Sequence, residues 1–325
     1  MRLFANANYD FLSRRKLAYI LTAIFVAAGI FAMLLQGINY SVEFTGGLQM
    51  EIETQQPADI AALRAGLAER GMEGAEILTF GSDREIAIRT EALVDSLNPD
   101  NTQAGRAAVT RALDEVLGEG TYRVVSAETV SPRVGGQLQS QALIAILLSF
   151  GAVLAYLAVR FEWRFGLAAV AATAHDILAT LAFIALLKIE VSLFVVAALL
   201  SIVGYSLNDT IVIFDRVREN LHKAKQEGFS SILNRSVNET LPRTVLTGGT
   251  AIGTLVAMAV LGGTVLRPFA LIMLFGVVIG TFSSIFIASP ILLAIEERWP
   301  GPHARGLRQK EKAAARLSRK AQPVA

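Results

Sequence analysis

The run Ser201-Ile-Val-Gly-Tyr-Ser-Leu-Asn-Asp-Thr-Ile-Val-Ile-Phe-Asp215 places a carboxylate, Asp209, in the middle of a long apolar stretch. On a helix, Ser201, Gly204, Tyr205, Asn208 and Asp209 fall at i, i+3, i+4, i+7 and i+8 and share one face. A helix that is Ile, Leu and Val elsewhere and polar along one stripe belongs in a membrane, with the stripe turned to a bundle interior or a wet cavity. An ionisable side chain at bilayer depth costs about 2.5–3.5 kcal/mol on insertion scales, so its presence points to function.

The composition agrees. Of 325 residues, 53% are hydrophobic and 18% charged, and the mean hydropathy is +0.48. These values exclude an ordinary soluble protein and a disordered one. Six apolar stretches of about twenty residues, each able to cross a hydrocarbon core about 30 Å thick, run near Leu17–Gln36, Ala142–Val159, Phe165–Leu187, Val191–Phe214, Val245–Val265 and Phe269–Ile295. The expected organisation is an N-terminal arm (1–16), a first span (17–36), a polar α+β domain (37–139), five further spans (140–295) and a basic tail (296–325). There is no cysteine, hence no disulfide, thiolate metal site or cysteine nucleophile. The net charge of +2 gives no reason to expect a nucleic-acid partner.

The distribution of basic residues sets the expected orientation. Arg14, Arg15, Lys16, Arg160, Arg164, Arg216, Arg218, Lys223, Lys225, Arg235 and Arg243 cluster on one side with the tail, whereas the short loops opposite hold only Lys188 and Arg267. Both termini are therefore expected in the cytoplasm and the polar domain outside. The segment after the first span, Gly37 to Glu43, lacks the small-x-small site of a cleaved signal, so that span reads as a retained anchor.

Within the polar domain the periodicity changes. Leu48, Met50 and Ile52 alternate as a strand, Pro57–Arg70 reads as a helix with Ile60, Leu63 and Leu67 on one face, and Ala75–Phe80 is extended. A turn at Gly81-Ser82-Asp83, a strand with Ile86 and Ile88 on one face, a helix over Thr102–Leu117 and a strand over Tyr122–Thr129 complete a β-α-β-β-α-β order, the ferredoxin-like split unit. It contains no metal-ligand cluster and no nucleophile with a base, which suggests a binding or gating module.

Two further spans carry polar stripes. Arg243, Thr247, Thr250 and Thr254 lie on one face of the fifth, and Thr173, Asp176 and Thr180 on one face of the third. A carboxylate at Asp209 and a guanidinium at Arg243 would attract when Asp209 is ionised and part when it is protonated, the minimum machinery for proton-coupled motion. Asp176 either joins that relay or ties helices together; its neighbour His175 fits a packed, hydrogen-bonded histidine better than a proton carrier. Gly276-x-x-x-Gly280 reads as a close helix contact.

Several strings then resemble the SecF family of protein-export membrane subunits: Val42-Glu-Phe-Thr-Gly-Gly47, Phe161-Glu-Trp-Arg164, Ala174-His-Asp176, Gly204-Tyr-Ser-Leu-Asn-Asp-Thr210, Asp215-Arg-Val-Arg-Glu-Asn220, Thr240-Leu-Pro-Arg-Thr244 and Ser283-Ser284. The likeness runs from about Leu17 to Ala294. It implies a polytopic α-helical fold forming half of an RND-type bundle, no catalytic residues and no cofactor or metal. It further implies an auxiliary role in the Sec translocase of the inner membrane, driven by the proton motive force and shared with SecD beside the SecYEG channel, with SecA, YajC and YidC as further partners and preproteins as substrates. Carried onto this chain, Asp209 is the relay carboxylate and Arg243 its partner, with Asn208, Asp176 and Thr247 beside them. Glu43, Phe44, Thr45, Gly46 and Gly47 form the family element after span one, where Glu43 replaces the usual Asp, and Gly204 and Tyr205 belong to the span-four motif.

Other readings make different predictions. An RND-like half-transporter of a small molecule or lipid needs a deep apolar cleft in the exported portion. An intramembrane aspartyl protease needs the carboxyl groups of Asp176 and Asp209 within hydrogen-bond reach. A scaffold subunit would tolerate Asp209→Asn.

Overall fold

The computed structural model describes residues 4, 7–72, 74–80, 82–90, 102–224 and 227–301. Its elements are helix α1 (Arg15–Gln36), a single turn α2 (Val42–Thr45), β1 (Gly47–Thr54), α3 (Ile60–Ala68), β2 (Glu76–Phe80), β3 (Ser82–Thr90), α4 (Thr102–Leu117), β4 (Tyr122–Val130), α5 (Pro132–Arg160), α6 (Trp163–Leu186), α7 (Leu193–Lys223), α8 (Phe229–Leu261), α9 (Gly263–Ser283) and α10 (Ser289–Arg298), with a π-helical stretch at Ser284–Ala288 between the last two. Among the described residues, six helical segments are long and apolar enough to cross a membrane, the number the sequence predicts. Residues fall into two compact units: Ile38–Leu147 with Glu190–Val196, and the remainder.

The first unit is the α+β domain. Its four strands lie in the order β2-β3-β1-β4 with every neighbour antiparallel, the topology of a split β-α-β unit. One face of the sheet sends Leu48, Met50, Ile52, Ile77, Ile86 and Ile88 into a core closed by Leu63 and Leu67 of α3 and Val109 and Leu113 of α4. The alternation in β1 and the helical spacing in α3 are the burial patterns of these elements. Helix α3 is shorter than its apolar spacing suggests because Asp59 caps it, its carboxylate accepting from the Ala61 and Ala62 amides at 2.9 and 3.1 Å. Of the expected turn, Gly81 lies outside the described residues, and Ser82 and Asp83 are not turn but open β3, with Ser82 paired to Phe80.

Helix α5 begins at Pro132, ten residues before the apolar window. Ser131 caps it, Pro132 takes the first helical position where no amide donor is needed, and the polar first turns are invisible to hydropathy. Gly46 and Gly47 both hold positive φ, 77° and 131°, and turn the chain from α2 into β1. Gly135 of α5 meets that turn closely, since a Cβ there would sit 2.9 Å from the Phe44 carbonyl oxygen.

The second unit is helical. A Cβ at Gly29 of α1 would lie 2.1 Å from the Cβ of Ala182 on α6, and one at Gly276 of α9 would lie 2.3 Å from Ile202 on α7, so small residues bring these backbones together. At one end, Phe161 and Phe165 both meet Phe214 edge to face, Phe165 at 5.5 Å, among Val217, Ile232, Leu233 and Leu292. Helix α8 starts at Phe229, well before its apolar window. Its early turns bind the N-terminal arm: Asn238 and Asn234 accept from the Tyr9 and Phe11 amides at 2.8 and 3.0 Å and both donate to the Tyr9 carbonyl. The tail beyond Gly301 and Lys225 lie outside the described residues.

The Phe161-Glu-Trp-Arg164 string has a structural explanation. Arg164 donates to Glu296 of α10 at 2.8 Å, both side chains being almost fully buried, and also pairs with Glu162. Glu296 in turn accepts from the Gly301 amide at 2.7 Å. Truncating one member leaves the other charge buried without its counter-ion. Arg164→Ala is expected to destabilise the chain by about 3–5 kcal/mol, read as a loss of thermal stability in detergent.

Electrostatics of the α+β unit give a second expectation. Partial burial, followed by the neighbouring carboxylates Glu43 and Glu51, pushes the Glu128 carboxyl above its ordinary value of 4.5. A group raised in this way holds its proton more tightly when folded, so it favours the fold at low pH and loses that contribution as pH rises through the elevated value. Glu128→Gln should therefore slow hydrogen exchange of the β4 amides at pH 8 and leave it unchanged at pH 4. The effect should stay below about 1 kcal/mol because solvent screens the group.

Candidate functional site

Among the described residues, Asp176 and Asp209 are the carboxylates buried on the third and fourth spans, and their surroundings differ. Asp176 on α6 is 1% exposed. Its Oδ2 accepts from Ser283 Oγ of α9 at 2.6 Å and from Ser206 Oγ of α7, and its Oδ1 lies 2.9 Å from Nδ1 of His175. Thr173 and Thr180, on the same face, spend their hydroxyls on their own helix, bonding the Ala169 and Asp176 carbonyls at 3.0 and 2.7 Å. Gly280 makes the approach of α9 to α7 possible, since a Cβ there would meet the Ser206 Cβ at 3.1 Å. Asp176 thus joins its own helix to α7 and α9 through two serine hydroxyls, while Nε2 of the neighbouring His175 is buried without a hydrogen-bond partner among the described residues.

Asp209 on α7 is 2% exposed and less well provided. Its buried Oδ2 has no hydrogen-bond partner among the described residues, and the same holds for Tyr205 OH, Thr244 Oγ1 and Thr281 Oγ1. Tyr205 and Thr281 converge with Asp209. A Cβ at Gly248 of α8 would sit 3.5 Å from Thr281 Oγ1 and 3.9 Å from Tyr205 OH, so the missing side chain leaves room where α7, α8 and α9 meet. Thr281 faces the Asp209 carboxyl group without reaching hydrogen-bond geometry to its buried Oδ2, and Tyr205 and Arg243 lie near enough to act on it electrostatically. Pro242, inside α8 beside Arg243, removes one backbone donor from the helix there.

The other residues singled out by sequence lie as follows. Arg243 is exposed in this chain and forms no ion pair with Asp209 within 4.0 Å among the described residues. Ser201, Gly204 and Asn208 are also exposed, along the edge of α7 next to the buried Asp209. Thr247 is half-buried, and Thr250 and Thr254 bond the carbonyls of Thr247 and Thr250 at 2.9 and 3.1 Å. No hydrogen bond joins Asp176 to Asp209 among the described residues, so the geometry required of an aspartyl protease is not found. Glu43, Phe44, Thr45, Gly46 and Gly47 lie in the α+β unit.

Sequence reasoning did not assign Ser206, Gly248, Thr281 or Ser283. The signal for the α9 pair is present: Gly280, Thr281, Ser283 and Ser284 interrupt a span otherwise rich in Phe, Ile, Leu and Val. Ser284–Ala288 also departs from α to π geometry just before Pro290, whose ring and missing amide disturb the preceding turn.

Fold and site together define a class: a polytopic helical membrane protein with a split β-α-β domain after its first span and buried carboxylates on its third and fourth. Residues 109–298 match the family described as protein export membrane protein SecD/SecF, C-terminal, and residues 31–58 match the SecD/SecF GG motif. The chain is 49% identical to protein translocase subunit SecF of Gemmatimonas aurantiaca, covering 92% of this chain and 91% of that one, and 40% identical to the subunit of the same name from Magnetococcus marinus, covering 91% and 95%. The crystal structure of SecDF, a translocon-associated membrane protein from Thermus thermophilus, superposes with a TM-score of 0.81 at 34% identity over 92% of this chain, which spans 40% of that longer chain. A SecDF structure in a super-membrane-facing form gives 0.65 at 32% identity, covering 94% of this chain and 40% of the other. The chain belongs to the SecD/SecF family.

The hydrogen bonds around Asp176 give a stability prediction. Asp176→Ala removes the acceptor for two buried serine hydroxyls and for His175 and should cost about 1–3 kcal/mol per orphaned group at most. Asp176→Asn, which keeps one oxygen, should lose less. Thermal unfolding of the two variants in detergent checks the order.

Proposed function

We propose that this chain is an auxiliary subunit of a Sec protein translocase that works with a SecD partner. Together they use the proton motive force to promote late-stage translocation and release of preproteins. In this reading it resides in the bacterial inner membrane with both termini cytoplasmic and the α+β unit outside. The SecYEG channel, with SecA and, beside them, YajC and YidC, completes the assembly.

The observation that carries the proposal is the contrast between Asp209 and Asp176. A carboxylate that accepts from serine hydroxyls on two neighbouring helices is held in place. One buried with an oxygen that no described protein group bonds, and faced by Tyr205 and Thr281, is placed to take up and release a proton. Proton uptake by Asp209 removes its attraction for Arg243 on α8, and proton release restores it. The relative position of α7 and α8 then depends on occupancy of that site. The drive is about 2.3 kcal/mol per charge per 100 mV, comparable with the cost of holding a carboxylate in the bilayer. Asp176, by this account, fixes α6, α7 and α9 to one another as the frame against which α8 moves.

A partner of similar architecture is supported by the edge formed by Ser201, Gly204 and Asn208, with Arg243 exposed on α8. Polar groups at membrane depth do not face lipid, so this edge calls for protein or a wet cleft to cover it.

The test uses vesicles containing the channel, the SecD partner and this chain at equal assembly. Asp209→Asn is expected to abolish the gradient-dependent part of preprotein translocation and leave the gradient-independent part unchanged. Full retention of the gradient-dependent part would refute the reading and leave a scaffold.

A further inference from the structure

Helix α7 runs without interruption from Leu193 to Lys223 and carries Asp209, yet its first residues, with Glu190–Ser192 before them, belong to the α+β unit. Several separate interactions hold that entry segment. Tyr40 pairs with Val191 as a parallel bridge, the Ser41 amide donates to the Val191 carbonyl at 3.0 Å, and the Val191 amide donates to the Asn39 carbonyl at 2.7 Å. The Glu43 carboxylate accepts from the Leu193 amide, the first of the helix, and from Ser41 Oγ at 3.3 Å. Arg89 of β3 pairs with Glu190, and its guanidinium also reaches Glu76 at 3.4 Å, Gln49 at 3.4 Å and the Tyr40 carbonyl at 3.4 Å.

Stability of the helix end does not by itself account for this arrangement. Serine is a favoured N-cap, and Ser192 already accepts from the Val195 amide at 3.4 Å. The acceptor for Leu193 comes instead from a residue 150 positions earlier, inside the element that leads into β1 through Gly46 and Gly47. A carboxylate at a helix N-terminus is also favoured by the helix dipole. Arg89, opposite Gln49 of β1 and Glu76 of β2 in the sheet register, fixes Glu190 to the centre of the sheet.

We propose that Glu43 is a positioning residue. With Arg89–Glu190 and the Tyr40–Val191 bridge, it fastens the α+β unit to the first turn of the helix that carries Asp209, so that a displacement of that helix is delivered to the unit. The fastening stays closed throughout the cycle. The coupling rests on the functional reading above; the fastening itself does not.

The experiment combines two readouts on the full chain with its SecD partner in vesicles. Hydrogen exchange at the amides of residues 193–195 should rise about tenfold in Glu43→Ala, the fold-change that loss of a side-chain cap gives, and should stay near wild type in Glu43→Gln, which keeps the acceptor oxygen. Gradient-dependent translocation should fall in Glu43→Ala. Because the native chain has no cysteine, a Tyr40→Cys/Val191→Cys pair added to that variant can close the joint covalently; it should restore translocation when oxidised and lose it again when reduced. Unchanged exchange in Glu43→Ala overturns the fastening. Raised exchange with unimpaired translocation, or no restoration by the oxidised pair, overturns the coupling. Asp209→Asn assayed in parallel separates the two claims: if it leaves gradient dependence intact, the functional reading fails and the coupling with it, while the exchange result still decides whether Glu43 fastens the joint.

Discussion

A polar atom taken out of water must find a partner, and in hydrocarbon there is none except the protein. The arrangement of the helical unit follows from how it meets this constraint at two carboxylates. At Asp176 it is met by Ser206, Ser283 and His175, drawn from the same helix and from two others. At Asp209 the buried Oδ2 finds no donor among the described residues. One centre is held by its neighbours; the other, in the proposed function, is the place where protonation changes the balance of forces. Small residues make both possible: Gly280 lets the Ser206 backbone approach α9, and Gly248 leaves the space between Tyr205 and Thr281.

The ends of the spans meet the same constraint by other means. Arg164 and Glu296 form a buried pair with Gly301 admitted close to the guanidinium. Asn234 and Asn238 satisfy the backbone of the N-terminal arm with their amide groups. In the α+β unit, the segment from Asn39 to Glu43 supplies backbone and carboxylate partners to the entry of α7. Motifs that stand out as strings in the sequence therefore turn out to be places where backbone or charge is satisfied over long sequence separations.

Much of the fold is legible in the sequence because its signals are periodic and local. Six apolar windows give six crossing helices, and the alternation of Leu48, Met50 and Ile52 gives the central strand. Helix ends are less legible: the Ser131-Pro132 start of α5 and the early turns of α8 are amphipathic or polar, and hydropathy does not register them. Of the site, Asp209 and Asp176 are readable because a carboxylate in an apolar run is conspicuous. Ser206, Thr281 and Ser283 are not, because a hydroxyl in a membrane helix can bond its own backbone, as Thr173 and Thr180 do. Only the helix packing decides which ones face a carboxylate. Likewise the polar stripe on α7 is one face by spacing, yet packing divides it into a buried side at Asp209 and an exposed side at Ser201 and Asn208.

The central claim is the division of labour between the two carboxylates, with Asp209 exchanging protons and Asp176 held in a fixed network. Infrared difference spectroscopy of the full chain with its partner, recorded as pH is stepped through the neutral range, observes carboxyl protonation directly. The account predicts a protonated-carboxyl band that grows on acidification, disappears in Asp209→Asn and persists in Asp176→Asn. A band that survives in Asp209→Asn and vanishes in Asp176→Asn would contradict it.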